Sequence, residues 1–68
     1  MIVNDSQLAA TRKRIAWFQA TIERIRQVET NPVNYEACVS GYLAELQDME
    51  RDVREFLRVH PSKLIGVN

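Results

Sequence analysis

Few side chains in this sequence have the chemistry of a catalytic or metal-binding site. Four carboxylates recur at a 3-4-3 spacing and would form one acidic stripe on a helix: Glu45, Asp48, Asp52 and Glu55. Carboxylates bind cations, but the di-iron helical bundles also need Glu-x-x-His pairs, and the sequence contains none. Arginines lie between these carboxylates at positions that favour pairing along the helix. We therefore interpret the acidic stripe as a solvated surface.

The single histidine and the single cysteine are interpreted as structural residues. His60 directly precedes Pro61, and a histidine in the last turn of a helix interacts favourably with the negative helix C-terminus. Cys38 is expected to be a small buried apolar residue, because no cation is fixed beside it to activate the thiol. The sequence has no Gly-rich phosphate loop, nucleophile elbow or paired-cysteine motif. We expect no enzymatic activity, no cofactor and no bound metal.

A short basic run is the other candidate for chemistry. Arg12, Lys13 and Arg14 are followed by Trp17 one helical turn further on. Basic side chains bind phosphates and an exposed aromatic ring stacks on a base, so these four residues would form a nucleic-acid contact. However, nine basic residues are balanced by nine acidic ones, whereas nucleic-acid-binding domains usually carry a basic excess. Nucleic-acid binding is therefore the alternative hypothesis.

Two helices are predicted to position these residues. Turn and cap residues between Thr30 and Asn34 divide a chain that is otherwise rich in helix formers. We predict helix 1 over about residues 6–29, a turn over 30–34, helix 2 over about 34–59 and a loose tail over 60–68. Together they make one helical-hairpin domain of 68 residues, 1–68. Asn31 and Asn34 are alternative N-caps for helix 2, and Pro61 limits its far end.

Apolar residues recur every three or four positions on both helices, which is the spacing of a coiled coil. The predicted seam between the helices consists of Leu8, Ile15, Phe18, Ile22, Ile25, Val39, Tyr42, Leu46, Met49, Val53 and Phe56. An antiparallel register that sets Phe18 opposite Leu46 also places three pairs of opposite charges side by side: Arg12 with Glu50, Arg14 with Asp52, and Arg26 with Glu36. The fold class is therefore predicted to be all-α, an antiparallel two-helix hairpin of the coiled-coil type.

A single hairpin of this size is marginal as an independent fold, because one seam buries little apolar surface. Small or apolar residues also lie outside the seam, and we predict that the oligomer interface is drawn from Ala9, Ala16, Trp17, Leu43 and Leu57. Ala16, Leu43 and Leu57 share one flank and are preferred, with Trp17 as the alternative anchor. Two hairpins would form a homodimeric four-helix bundle, and a helical protein partner would cover the same surface.

The beginning of the chain resembles a small group of bacterial proteins. The segment Met1–Gln7, Thr11, the basic run and the apolar stretch from Ile15 to Ile25 are similar to helical hairpins that precede, or are encoded near, antitoxin-type helix-turn-helix regulators. The resemblance implies an accessory protein that oligomerises or binds a partner, neutralising or tethering it.

The hypothesis with most support is a non-enzymatic interaction module. No apolar run in the sequence is long enough to cross a membrane, and no signal-peptide core is visible. We therefore expect a cytoplasmic protein without a membrane partner.

Overall fold

The computed structural model describes residues 1–62, which form two helices joined by a short connection. Helix α1 is Asp5–Val28 and helix α2 is Pro32–Leu57. The two helices pack against each other as a hairpin, and the described residues contain no β-strand. The all-α two-helix hairpin predicted from the sequence is therefore confirmed, and the predicted helix bounds lie within two residues of the observed ones.

An asparagine side chain begins helix α1. The Oδ1 atom of Asn4 accepts a hydrogen bond from the backbone amide of Gln7 at 2.8 Å. The side-chain oxygen of Gln7 in turn accepts from the backbone amide of Val3 at 2.9 Å. The first bond satisfies an amide of the first turn, and the second ties the residue ahead of the cap to the helix, so the helix begins at a defined residue.

The connection between the helices is held by side chain–backbone hydrogen bonds. The backbone amide of Asn31 donates to Oε1 of Glu29 at 3.0 Å. The Oδ1 atom of Asn31 then accepts from the amides of Val33 at 2.9 Å and Asn34 at 3.4 Å. Pro32 occupies the first helical turn, where its missing amide costs nothing. Asn31, rather than its predicted rival Asn34, is therefore the N-cap of α2.

Helix α2 ends at Leu57, two residues earlier than predicted. His60 consequently lies beyond the helix, and its predicted interaction with the helix C-terminus is wrong. Its Nδ1 atom accepts from the backbone amide of Ser62 at 3.1 Å and lies 2.8 Å from the Ser62 hydroxyl. The backbone of Pro61 and Ser62 is again helical, so His60 acts as a cap for this turn. The rest of the predicted tail, 63–68, lies outside the described residues.

The core of the hairpin is thin. The buried apolar residues are Ile2, Val39, Met49 and Phe56, and helix α1 contributes none of them. The other predicted seam residues are half-buried: Leu8, Ile15, Phe18, Ile22, Ile25, Tyr42, Leu46 and Val53. Ile2 was not predicted as a core residue, because it lies two residues ahead of the N-cap Asn4 and outside the helical spacing. With so few buried residues, apolar side chains of this hairpin are shielded from water mainly along the line where the two helices meet.

The predicted charge pairs between the helices are not formed. Within residues 1–62, the ion pairs closer than 4.0 Å are Arg51 with Asp48 at 3.2 Å and the Met1 amino group with Asp52 at 3.5 Å. The prediction of the ion pairs Arg12–Glu50, Arg14–Asp52 and Arg26–Glu36 is therefore wrong. Long charged side chains at the edge of a seam gain little from pairing in water and remain solvated.

Candidate interaction surfaces

The residues that could have supported catalysis or metal binding are dispersed. Among residues 1–62, no group of three or more His, Cys, Asp and Glu side chains is arranged to hold a metal ion. Two members of the acidic stripe, Asp48 and Asp52, are engaged in ion pairs. Cys38 is exposed rather than buried, because its position lies beside the seam and not on it. The surfaces of the hairpin are therefore the better candidates for function.

The basic run does not form one continuous patch. Arg12, Lys13 and Arg14 are all exposed, but successive residues turn by about 100° around a helix. Arg12 and Arg14 therefore lie about 200° apart, on opposite flanks of the seam. Trp17 lies one turn beyond Arg14, on the same flank as that residue. The structure thus separates Arg12 from the other residues of the proposed nucleic-acid contact.

Three aromatic rings close one side of the seam. Trp17 and Phe18 have ring centroids 5.3 Å apart, and Phe18 and Tyr42 are separated by 5.6 Å. Trp17 also lies 6.4 Å from Tyr42, which belongs to the other helix. The rings meet edge to face, a favourable geometry for aromatic pairs. Tyr42 of α2 thus contacts the two aromatic residues of α1.

We call this side of the hairpin the Trp17 face. It comprises Arg14, Trp17 and Arg24 of α1 and Cys38, Gly41, Glu45 and Glu55 of α2, which lie beside the seam. A shallow groove of about 260 Å³ lies here, lined in part by Cys38 and Gly41. A Cβ atom at Gly41 would meet no atom within 4 Å, so no contact within the described chain requires glycine at this position.

Two larger grooves lie on the opposite side of the hairpin. One, of about 460 Å³, is lined by Ala16, Gln19, Ala20, Ile22, Glu23, Leu43 and Leu46. The other, of about 440 Å³, lies towards the connection and includes Arg26, Glu36 and Val39. Both grooves share Leu43, which is 48% exposed. On this side the seam residues Ile22 and Leu46 form part of an open groove wall.

We call this side the Leu43 face. It comprises Ala9, Arg12, Ala16, Gln19 and Arg26 of α1 and Glu36, Leu43, Glu50 and Leu57 of α2. The α2 members recur every seven residues, or about two turns, and so share one flank. The structure places the preferred interface residues Ala16, Leu43 and Leu57, and the further candidate Ala9, on this face, all exposed. The alternative anchor, Trp17, lies on the other face.

Sequence reasoning missed Gln19 and Ala20, which line the larger groove beside Leu43. They follow the seam residue Phe18 directly, and helical geometry alone places them on the flank that Ala16 also occupies. Their positions in the sequence were therefore sufficient to assign both residues to this face.

The hairpin exposes more surface than a compact protein of the same mass. Its accessible surface is 5576 Å². A compact folded monomer of 7.9 kDa has about 4,400 Å².

Compared with known protein families, with curated proteins and with solved structures, the chain matches none. Among the described residues, neither helix has the length and apolarity that crossing a membrane requires.

Proposed function

We propose that this chain is a non-enzymatic protein–protein interaction module that self-associates. In the simplest assembly, two hairpins form a homodimeric four-helix bundle. An antitoxin-like accessory role, in which the bundle presents a helical surface to a protein partner, follows the resemblance of its N-terminal half.

The observation that carries this proposal is the thin core. Four apolar side chains are buried among the described residues, whereas Leu43 and Leu57 are 48% and 57% exposed. A second layer of helices would cover these leucines and the half-buried seam residues. Large apolar side chains left exposed along one flank of a helix are typical of a protein interface.

Sedimentation velocity of the full chain tests the proposal directly. The unaltered chain is expected to sediment as a dimer at micromolar concentration. Leu43→Glu and Leu57→Glu should each shift it towards the monomer, because a carboxylate would be buried in the interface without a partner. Val28→Glu is the matched control, since Val28 is exposed near the connection and outside the Leu43 face. A stable, folded monomer of the unaltered chain would contradict self-association.

Nucleic-acid binding is tested with the same protein. Titration of random-sequence RNA and DNA at low and high salt should detect no specific complex, because Arg12 and Arg14 lie on opposite flanks and the net charge is zero. A salt-dependent complex that is lost in Lys13→Glu would favour the nucleic-acid alternative over the interaction module.

A further inference from the structure

We infer that the surface used for self-association is the Leu43 face, and that the second copy is related by a two-fold axis parallel to the long axis of the hairpin. This inference rests on the proposed self-association and specifies its geometry. In such a dimer, α1 of each copy lies against α2 of the other. All four neighbouring helix pairs are then antiparallel, as in an up-down four-helix bundle.

The two faces of the hairpin differ in how well they cover the seam. On the Trp17 face, the rings of Trp17, Phe18 and Tyr42 pack on one another and leave grooves of about 260 Å³ beside Gly41 and about 330 Å³ beside Phe56, which is already buried. On the Leu43 face, Ile22 and Leu46 remain accessible along the larger groove. A second copy therefore gains more apolar contact by covering the Leu43 face.

The small residues of this face allow two helices to approach closely. Ala16 and Ala20 line the same groove as Leu43. A rotation about the long axis keeps every residue at its own height along the bundle. Leu43 of each copy is therefore carried to the height of the second copy's Ala16 and Ala20, where it fills the space above the alanines.

The charges of the Leu43 face are complementary under the same rotation. Arg26 and Glu36 line one groove and so lie at similar heights. Arg12 and Glu50 each lie 14 residues from that pair, in opposite chain directions, and therefore also share a height in an antiparallel hairpin. Within residues 1–62, none of these four side chains has an ion-pair partner closer than 4.0 Å. In the dimer, each arginine faces a glutamate of the second copy.

Charge exchange between two variants tests this geometry. The double variant Arg12→Glu/Arg26→Glu makes the Leu43 face acidic, and Glu36→Arg/Glu50→Arg makes it basic. Each variant alone should dimerise about tenfold or more weakly than the unaltered chain, because four contacts across the interface become repulsive. An equimolar mixture should recover association as a mixed dimer, which native mass spectrometry identifies by mass.

The matched control exchanges charges on the opposite face. Arg14→Glu/Arg24→Glu and Glu45→Arg/Glu55→Arg make equal charge changes on the Trp17 face and should leave the dimer dissociation constant within about threefold. Dissociation by this second set, with no effect of the first, would overturn the inference while leaving self-association intact. Failure of the unaltered chain to associate would instead contradict the proposed function.

A measurement on the unaltered chain removes any dependence on variant folding. Trp17 is the only tryptophan, so iodide quenching of its fluorescence reports the Trp17 face alone. Because the second copy covers the opposite face, the quenching constant should be the same above and below the dissociation constant. Protection of Trp17 in the dimer would overturn the inference.

Discussion

At the scale of single residues, asparagine side chains determine where both helices begin. The Oδ1 atoms of Asn4 and Asn31 each accept a hydrogen bond from a backbone amide of the turn that follows. The sequence identified the turn at residues 30–34 but left Asn31 and Asn34 as equal candidates. The structure distinguishes them, because Pro32 fits the first turn only when Asn31 precedes it as the cap.

Asn31→Ala should lower the free energy of unfolding by about 1 kcal/mol, because two amides of α2 lose their acceptor. Asn34→Ala is the control, since Asn34 contributes its backbone amide to this cap and not its side chain. Chemical denaturation of both variants provides the comparison. An equal loss in the two variants would argue against the assigned cap.

Ion pairs were predicted from the sequence less accurately than helix caps. A cap forms a short-range bond within one turn, so sequence position alone fixes its geometry. A pair such as Arg26 and Glu36 depends on two flexible side chains that remain in water, and its small gain does not fix their conformation. The sequence therefore predicted that these residues lie near each other, as their shared groove shows, but not whether they form an ion pair.

At the scale of the elements, the two helices contribute unequally to the core. Helix α2 supplies Val39, Met49 and Phe56, whereas every described residue of α1 remains at least partly accessible. The periodicity of apolar residues predicted both helices and their packing, because a 3.5-residue spacing keeps one stripe towards a neighbour. It could not predict that Ile2 of the N-terminal segment lies near Phe56 at the end of α2, because Ile2 lies outside both helices.

Two valines of α2 provide a matched test of this packing. Val39 is 4% exposed and Val33 is 75% exposed, so the same Val→Ala change removes buried atoms at one site and solvated atoms at the other. Val39→Ala should cost about 2 kcal/mol of unfolding free energy, and Val33→Ala less than about 0.5 kcal/mol. Thermal and urea unfolding measure both, and equal costs would show that Val39 is not part of the core.

At the scale of the whole molecule, the hairpin has two unlike faces. On the Trp17 face, aromatic rings pack over the middle of the seam, and on the Leu43 face two larger grooves of about 460 and 440 Å³ run along it. The sequence identified apolar residues on both flanks and favoured the flank of Ala16, Leu43 and Leu57, but how well each flank covers the seam depends on the positions of Trp17 and Tyr42 in space. We propose that the Leu43 face is the one that a second copy covers.

Gly41→Ala tests this assignment on the Trp17 face, which the second copy is expected to leave free. Alanine favours a helix over glycine by about 1 kcal/mol, and the added methyl group would meet no atom within 4 Å. The variant should therefore be more stable by about 1 kcal/mol, with an unchanged dimer dissociation constant in sedimentation equilibrium. Weaker association would indicate that a second helix packs closely at Gly41.

The Met1–Asp52 ion pair shows that the chain leaves the hairpin at the same pole at which it enters. A two-fold axis along the rod would bring both entry points and both exits together at that pole. A polypeptide fused ahead of Met1 would then be held next to its duplicate in the second copy. With a two-fold axis perpendicular to the rod, the two fused polypeptides would instead be separated by roughly the length of a helix, about 39 Å for 26 residues.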